Sequence, residues 1–340
     1  MGALLLQYLI LSSVVVLSSV RISSCVDQLD KQTKIGGAVI GGVLLAGVTS
    51  LPELITSISS TTLLNNPDLA FGNILGSNAF NIFILAIGNL IFWRYMLFNH
   101  TGQSNTKTNI ISTIIYLMIW FSFYSLSMGK VGHVGVSSIF IVLMYYINLK
   151  FVSDEEEPEG SEEISNCSLS LLIFQFIFWG IMIVISSLFI SITTDKIAQQ
   201  TGIGSSFIGA MFLGVATSLP EMTSLISLIR LRNYDLAVGN IVGSNLFNFG
   251  IIAITDLFYL SGSIFEIADT SNTLLVIVGL SESIILTYML LRKEVKNLFS
   301  YCLPSLIIVG IYFYFIASSL NNGWKCSIYM VQFCYSLRRV

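Results

Sequence analysis

The chain has 340 residues, of which 54% are hydrophobic and only 10% are charged, and its mean hydropathy is +0.81. A soluble protein carries about 25% charged residues, so this composition excludes a pair of ordinary soluble domains and indicates a chain embedded in a lipid bilayer. The net charge of −3 provides no basic surface, which excludes nucleic acid as a partner. The five cysteines form no CxxC pair, so we expect neither a disulfide framework nor a zinc site.

Ten segments are apolar and long enough to be membrane spans, since a transmembrane helix needs about 20 predominantly apolar residues. In chain order they are 4–23, 35–60, 68–92, 109–128, 133–152, 168–194, 203–229, 236–260, 272–291 and 299–319. The sequence therefore predicts an all-α polytopic membrane protein with ten transmembrane helices, in the plasma membrane or an endomembrane. Lysine and arginine are more frequent in the loops after odd-numbered spans, which predicts that those loops are cytoplasmic and that both termini lie outside.

One hydrophilic linker interrupts the spans. Its sequence over 153–166 is SDEEEPEGSEEISN, which is typical of a solvated, flexible connector, and a divalent-ion sensor is the less favoured interpretation. We predict a first five-helix half at 1–152, a short acidic cytoplasmic linker at 153–167, a second half at 168–320 and a C-terminal tail at 321–340. Because five is an odd number, the two halves would have opposite orientations in the membrane.

Two motifs occur in both halves at nearly the same offset. Residues 40–53, IGGVLLAGVTSLPE, match residues 208–221, IGAMFLGVATSLPE. Residues 68–83, DLAFGNILGSNAFNIF, match residues 235–250, DLAVGNIVGSNLFNFG, at eleven of sixteen positions. These matches lie within two longer repeats at about 35–92 and 203–260. Together they predict two inverted five-helix repeats.

Each repeat places one glutamate inside an apolar span. On insertion scales an acid such as Glu53 or Glu221 costs about 2.5–3.5 kcal/mol at the centre of a membrane helix. Neither span has a basic residue at matching depth, so a cation from outside the chain is favoured over a structural ion pair. Pro52 and Pro220 precede the two acids, and a proline frees the carbonyl group one turn earlier from the helix.

Hydroxyl and amide side chains accompany both glutamates. Some lie three or four positions before a glutamate and share its helix face, and others follow a glycine in the neighbouring span. The set is Thr49, Ser50, Ser77, Asn81, Thr217, Ser218, Ser244 and Asn248. Such residues usually bond between helices, but their duplication beside the glutamates favours one shared metal site. Hard oxygen donors of this kind suit Na⁺ or Ca²⁺.

The paired TSLPE and GSNxFN motifs resemble those of the sodium/calcium exchanger family, within the cation/calcium antiporter superfamily, and the resemblance covers nearly the whole chain. It implies exchange of Ca²⁺ for Na⁺ by alternating access, at a mid-membrane site between the second, third, seventh and eighth spans. It adds the backbone carbonyls of Ala46 and Gly214 to the implied ligands. It also implies a transporter rather than an enzyme, with no cofactor and no obligate protein partner.

The counter-ion stays open between Na⁺ and H⁺, with K⁺ as a further candidate. Many sodium/calcium exchangers have aspartate where this chain has Asn248, so only two carboxylates supply charge to the implied site. Two negative charges balance one Ca²⁺ but balance three Na⁺ less well, which makes an H⁺/Ca²⁺ antiporter the alternative. A cation channel is disfavoured by the duplicated inverted architecture. An intramembrane metallohydrolase is disfavoured because the chain has no HExxH motif and no histidine inside a span, His133 being the first residue of 133–152.

Three further acids fall in or near the spans. Asp195 and Asp256 lie near predicted span ends, where we expect them to be solvated. Glu282 lies midway along the ninth span and receives no role from the repeats.

Overall fold

A computed structural model describes residues 1–33, 50–95, 97–124, 129–153, 168–267, 272–292, 295 and 297–337. Almost all of this part of the chain is helical. The helices are α1 (Gly2–Thr33), α2 (Leu51–Thr62), α3 (Pro67–Ile91), α4 (Gln103–Tyr124), α5 (Val136–Ser153), α6 (Leu169–Thr201), α7 (Ser205–Thr217), α8 (Leu219–Arg230), α9 (Tyr234–Phe258), α10 (Ile264–Ile267), α11 (Asn272–Leu291) and α12 (Leu298–Leu337). A short antiparallel hairpin, β1 (Lys130–Val131) and β2 (Val134–Gly135), precedes α5. Two 3₁₀ turns, Trp93–Tyr95 and Leu97–His100, follow α3.

Six helices in the described residues are long and apolar enough to cross a membrane. They are Gly2–Ile22, Pro67–Ile91, Leu169–Thr201, Tyr234–Phe258, Asn272–Leu291 and Leu298–Ser319. The bent pair α7–α8 makes a seventh if it is counted as one span, and Val136–Phe151 is a shorter apolar helix. Most of the predicted second span, 35–60, lies outside the described residues, and so does most of the predicted linker.

The predicted seventh span, 203–229, is broken rather than continuous. Helices α7 and α8 meet at a 45° bend at Ser218, whose φ and ψ are −90° and 2°. Ser50, the equivalent residue before α2, has φ −90° and ψ 11°. A proline follows each serine in the first turn of the next helix, where a missing N–H breaks no intrahelical bond. The repeated sequence therefore gives Ser50 and Ser218 the same non-helical backbone conformation immediately before a helix.

Glycines allow α3 and α7 to cross in backbone contact. A Cβ atom on Gly76 would lie 2.6 Å from the Cβ of Ala210, and a Cβ on Gly214 would lie 2.8 Å from the backbone N of Ser77. Residues Gly209–Gly214 of α7 are π-helical, an irregularity that is frequent at functional sites. This crossing brings the polar residues of the two predicted repeats together at one point of the core.

The expectation that Asp195 and Asp256 are solvated is wrong. Asp256 is fully buried and accepts hydrogen bonds from the backbone N–H of Gly135 at 2.8 Å, the Ser138 hydroxyl at 2.6 Å and the backbone N–H of Ile264 at 2.8 Å. Asp195 is buried too and accepts from two side-chain amides. Three donors compensate the hydration that the Asp256 carboxylate loses on burial. Their bonds also join the end of α9 to the hairpin and to α5.

Candidate ion-binding site

Glu53 and Glu221 lie in the first turns of α2 and α8, three residues after Ser50 and Ser218. Their exposed fractions are 1% and 2%. A helix N-terminus carries partial positive charge that favours an acid in the first turn. The Glu53 carboxyl interacts with the hydroxyl of Thr217 and electrostatically with Glu221. The helix that begins after each serine therefore brings one glutamate to a common buried region.

Ser77, Gly214 and Thr217 join α3 to α7 beside these acids. The Ser77 hydroxyl donates to the carbonyl oxygen of Gly214 at 3.2 Å, and its oxygen lies 3.4 Å from the hydroxyl oxygen of Thr217. Thr217 donates back to the carbonyl of Leu213 at 2.9 Å. Three of the predicted site residues are thus in direct mutual contact.

Four asparagines connect α3 and α9 with two-fold pseudosymmetry. The amide of Asn78 donates to the carbonyl of Asn245 at 3.2 Å, and the amide of Asn245 donates to the carbonyl of Asn78 at 3.1 Å. Asn81 donates to Oδ1 of Asn245 at 2.9 Å, and Asn248 donates to Oδ1 of Asn78 at 2.9 Å. Since the amide nitrogens of Asn81 and Asn248 are occupied, their Oδ1 atoms are left as free acceptors.

Seven of the ten predicted site residues that the structure describes have a buried oxygen without a hydrogen-bond partner. These oxygens are Ser50 Oγ, Glu53 Oε2, Asn81 Oδ1, Ser218 Oγ, Glu221 Oε2, Ser244 Oγ and Asn248 Oδ1. Leaving such a group unsatisfied costs about 1–3 kcal/mol, and more if it is charged. Seven such oxygens in one region therefore indicate a binding site for a ligand that oxygen atoms coordinate. Among the described residues there is no cluster of three or more His, Cys, Asp or Glu side chains. The arrangement offers two carboxylates and several neutral oxygens.

Two of the predicted residues, Ala46 and Thr49, lie outside the described residues. The sequence analysis missed Asn73, whose amide donates to Thr56 Oγ1 and Ser57 Oγ at 2.8 Å each and to the carbonyl of Glu53 at 3.3 Å. Asn73 therefore holds α2 against α3 behind the glutamate. The repeat contained the signal for this residue, because the matching motif has asparagine at position 240.

Comparison with known proteins identifies the family. The sequence profile of the sodium/calcium exchanger protein family matches residues 4–153 and 171–321. The chain belongs to this family. The resemblance inferred from the repeats is therefore confirmed, and the chain is a multi-pass integral membrane protein of a cation/calcium antiporter family, which consists of transporters rather than enzymes.

Individual relatives and solved structures resemble the chain at low sequence identity. The inner membrane protein YrbG of Escherichia coli (strain K12) is 27% identical over 228 residues, which cover 63% of this chain and 67% of YrbG. The crystal structure of the H⁺/Ca²⁺ exchanger CAX superimposes with a TM-score of 0.67 at 15% identity and covers 97% of this chain and 92% of CAX. The structure of the sodium-calcium exchanger NCX_Mj superimposes with a TM-score of 0.60 at 19% identity and covers 94% of this chain and 99% of NCX_Mj. Both superpositions show that the exchanger fold is shared.

Proposed function

We propose that the chain is a secondary active antiporter that exchanges Ca²⁺ for Na⁺, with the ions bound between Glu53 and Glu221. The observation that carries this proposal is the set of seven buried oxygens without hydrogen-bond partners, six of which form three equivalent pairs in the two repeats. A site for an anion would present N–H donors and no carboxylates. Here the amide nitrogens of Asn81 and Asn248 bond to other asparagines, and two carboxylate oxygens belong to the set, which supports a cation as the ligand.

The donor set fits Ca²⁺ in number and in charge. Calcium takes six to eight oxygen ligands at about 2.3–2.6 Å and prefers carboxylates and carbonyls. Glu53 and Glu221 balance its two charges, and the serine and asparagine oxygens supply the neutral ligands. Thr49, Thr217 and the carbonyls of Ala46 and Gly214 complete the proposed site, as the family resemblance implies.

The same charges favour exchange over leakage. An empty site would leave two carboxylates close together in a low-dielectric interior, where their repulsion and lost hydration are unfavourable. Movement of the empty carrier is therefore disfavoured, and a Na⁺ load must replace the departing Ca²⁺. We propose that ten transmembrane helices in two inverted five-helix repeats, with the acidic linker at 153–167 between them, provide the alternating access.

An H⁺/Ca²⁺ antiporter is the second candidate, and Asn248 is the residue that favours it. Its side chain donates to Asn78 at 2.9 Å and presents only a neutral oxygen, so the site has two carboxylates in the described residues. Two protons neutralise two carboxylates without further ligands, whereas Na⁺ depends on the neutral oxygens as well.

Radioactive Ca²⁺ uptake into proteoliposomes distinguishes the two counter-ions. We expect uptake driven by an outward Na⁺ gradient and indifferent to an imposed pH gradient. Uptake driven only by the pH gradient would replace Na⁺ by H⁺ in the proposal. Glu53→Gln and Glu221→Gln should each abolish uptake, while Glu266→Gln, an exposed acid outside the site, should retain it. Wild-type uptake in either site variant would refute the site.

A further inference from the structure

Glu282 is a third buried acid, on α11, that the proposed ion site does not use. Its exposed fraction is 0%, and neither carboxylate oxygen has a hydrogen-bond partner. Within the described part of the chain no basic group interacts with it. Glu282 thus differs from Asp256, which is equally buried but is satisfied by three donors.

Tyr116 of α4 contacts the helix of Glu282 and the helix of Asn248. Gly279, one turn before Glu282 on α11, makes room for the Tyr116 ring, since a Cβ atom there would lie 2.6 Å from Cε1 of the tyrosine. The Tyr116 hydroxyl is buried without a hydrogen-bond partner. The Tyr116 ring meets Phe249 edge-on, with 4.8 Å between ring centroids, and Phe249 follows Asn248 in α9. Tyr116 therefore packs both against the turn of α11 that precedes Glu282 and against the helix that carries Asn248.

The titratable groups around Glu282 are few. Helices α3, α4 and α12 pack against α11. Tyr116 of α4 and Tyr312 of α12 interact with Glu282, and both are neutral. The only titratable side chain of α3 is Asp68 in its first turn, where it accepts from the amide of Asn272 at the start of α11.

An ionised Glu282 would be an uncompensated charge in an apolar core, which costs several kcal/mol even after relaxation. A metal ion could compensate it, but one carboxylate and the neighbouring tyrosine hydroxyls fall short of the six to eight oxygens that Ca²⁺ takes. A proton needs only the carboxylate itself. Proton uptake is the response of a buried acid that has no partner.

We propose that Glu282 is a proton-binding carboxyl group that Tyr116 couples to the ion site. The carboxylate takes up one proton from water and becomes a neutral acid that can donate to the Tyr116 hydroxyl. Ion binding at Asn248 moves the adjacent Phe249 against the Tyr116 ring, turns the tyrosine hydroxyl and changes the surroundings of that acid. The coupling rests on the proposed function of the central site, whereas the protonation of Glu282 does not.

Infrared difference spectroscopy of the purified protein tests the protonation directly. A neutral carboxylic acid has a C=O stretching band that a carboxylate lacks, and Glu282→Gln should remove one such band from the wild-type spectrum. Glu266→Gln, the exposed control, should leave it. If the glutamine variant does not fold, Glu282→Asp keeps the acid and should shift the same band. The proposal would be overturned if neither variant removed or shifted an acid C=O band. The same result is expected if Glu282 is ionised and a metal ion compensates its charge.

Addition of Ca²⁺ to the same samples tests the coupling. The Glu282 band should shift in the wild type, and Tyr116→Phe, which removes only the hydroxyl, should lose that shift. Ca²⁺ binding measured by calorimetry should persist in Glu282→Gln and disappear in Glu53→Gln. A band that ignores Ca²⁺ in a wild-type protein that binds the ion would overturn the coupling. Absence of Ca²⁺ binding by the wild type would instead refute the proposed function, and the band assignment would stand independently.

Discussion

The substitution Gly76→Ala tests whether the close crossing of α3 and α7 positions the ion site. The new methyl group would lie 2.6 Å from the Cβ and 2.9 Å from the backbone oxygen of Ala210. Carbon atoms are in favourable contact at about 3.5–4.0 Å, so the two helices would have to separate by about 1 Å at this point. Neither helix offers a flexible side chain that could yield instead.

The separation should lower the stability of the fold and distort the proposed site. Overpacking of a well-packed core costs about 1–3 kcal/mol, which is roughly a 5- to 150-fold change in an equilibrium constant at 1.4 kcal/mol for each factor of ten. The adjacent residue Ser77 donates to the carbonyl of Gly214 at 3.2 Å across the same crossing. An added 1 Å would place these atoms beyond hydrogen-bond distance and would displace Thr217 from Ser77.

The assay combines a thermal unfolding midpoint in detergent with Ca²⁺ uptake in proteoliposomes. We expect Gly76→Ala to lower both, and uptake to fall even at temperatures where the variant is fully folded. Gly310→Ala is the matched control, because Gly310 of α12 is exposed and a Cβ atom there would have no neighbour within 4 Å. A Gly76→Ala variant with wild-type stability and uptake would refute the reasoning.

Three other variants test separate parts of the structure. Asn248→Asp adds a third carboxylate, so uptake should depend more steeply on Na⁺ concentration; an unchanged Hill coefficient would contradict the charge-balance argument. Asp256→Ala leaves three buried donors without an acceptor and should destabilise the protein by roughly 3 kcal/mol or more, measured by chemical denaturation. Lys130→Ala removes an exposed ion pair with Glu266, of 3.0 Å, and should change stability by less than about 1 kcal/mol in the same assay.

The repeats made the family predictable from the sequence, and they also indicated the residues proposed for the site. Glu53 and Glu221 could be proposed because a costly residue had been placed twice at equivalent positions. The proposed neighbours of each glutamate followed from the same duplication. Periodicity added little, because a membrane helix is apolar on most of its faces and the hydrophobic pattern does not indicate which face meets the core.

Contacts between distant segments were not predictable in the same way. The sequence placed Asp256 near a span end, but only the folded chain brings the hairpin and α10 over its carboxylate. The mutual amide bonds of Asn78 and Asn245 depend on the crossing of α3 and α9. The bonds from Asn73 to α2 likewise depend on the packing of α3 against α2. Glu282 has no counterpart in the other repeat, so duplication could not indicate its surroundings.

The equivalent helices α2 and α8 have similar sequences but different surroundings, and this asymmetry bears on the proposed mechanism. In α2 the hydroxyl of Ser59 donates to Ser191 of α6 at 2.9 Å, and the polar face of the helix is buried. In α8, Thr223 and Ser227 are exposed and donate only to carbonyls of their own helix. In an inverted-repeat transporter, each half can adopt the surroundings that the other half had. This exchange opens the fixed binding site to the opposite side of the membrane. Glu53 and Glu221 each follow a serine with nearly the same backbone conformation. Such an exchange would therefore leave the acids in place, while the polar face of one helix becomes exposed and that of the other becomes buried.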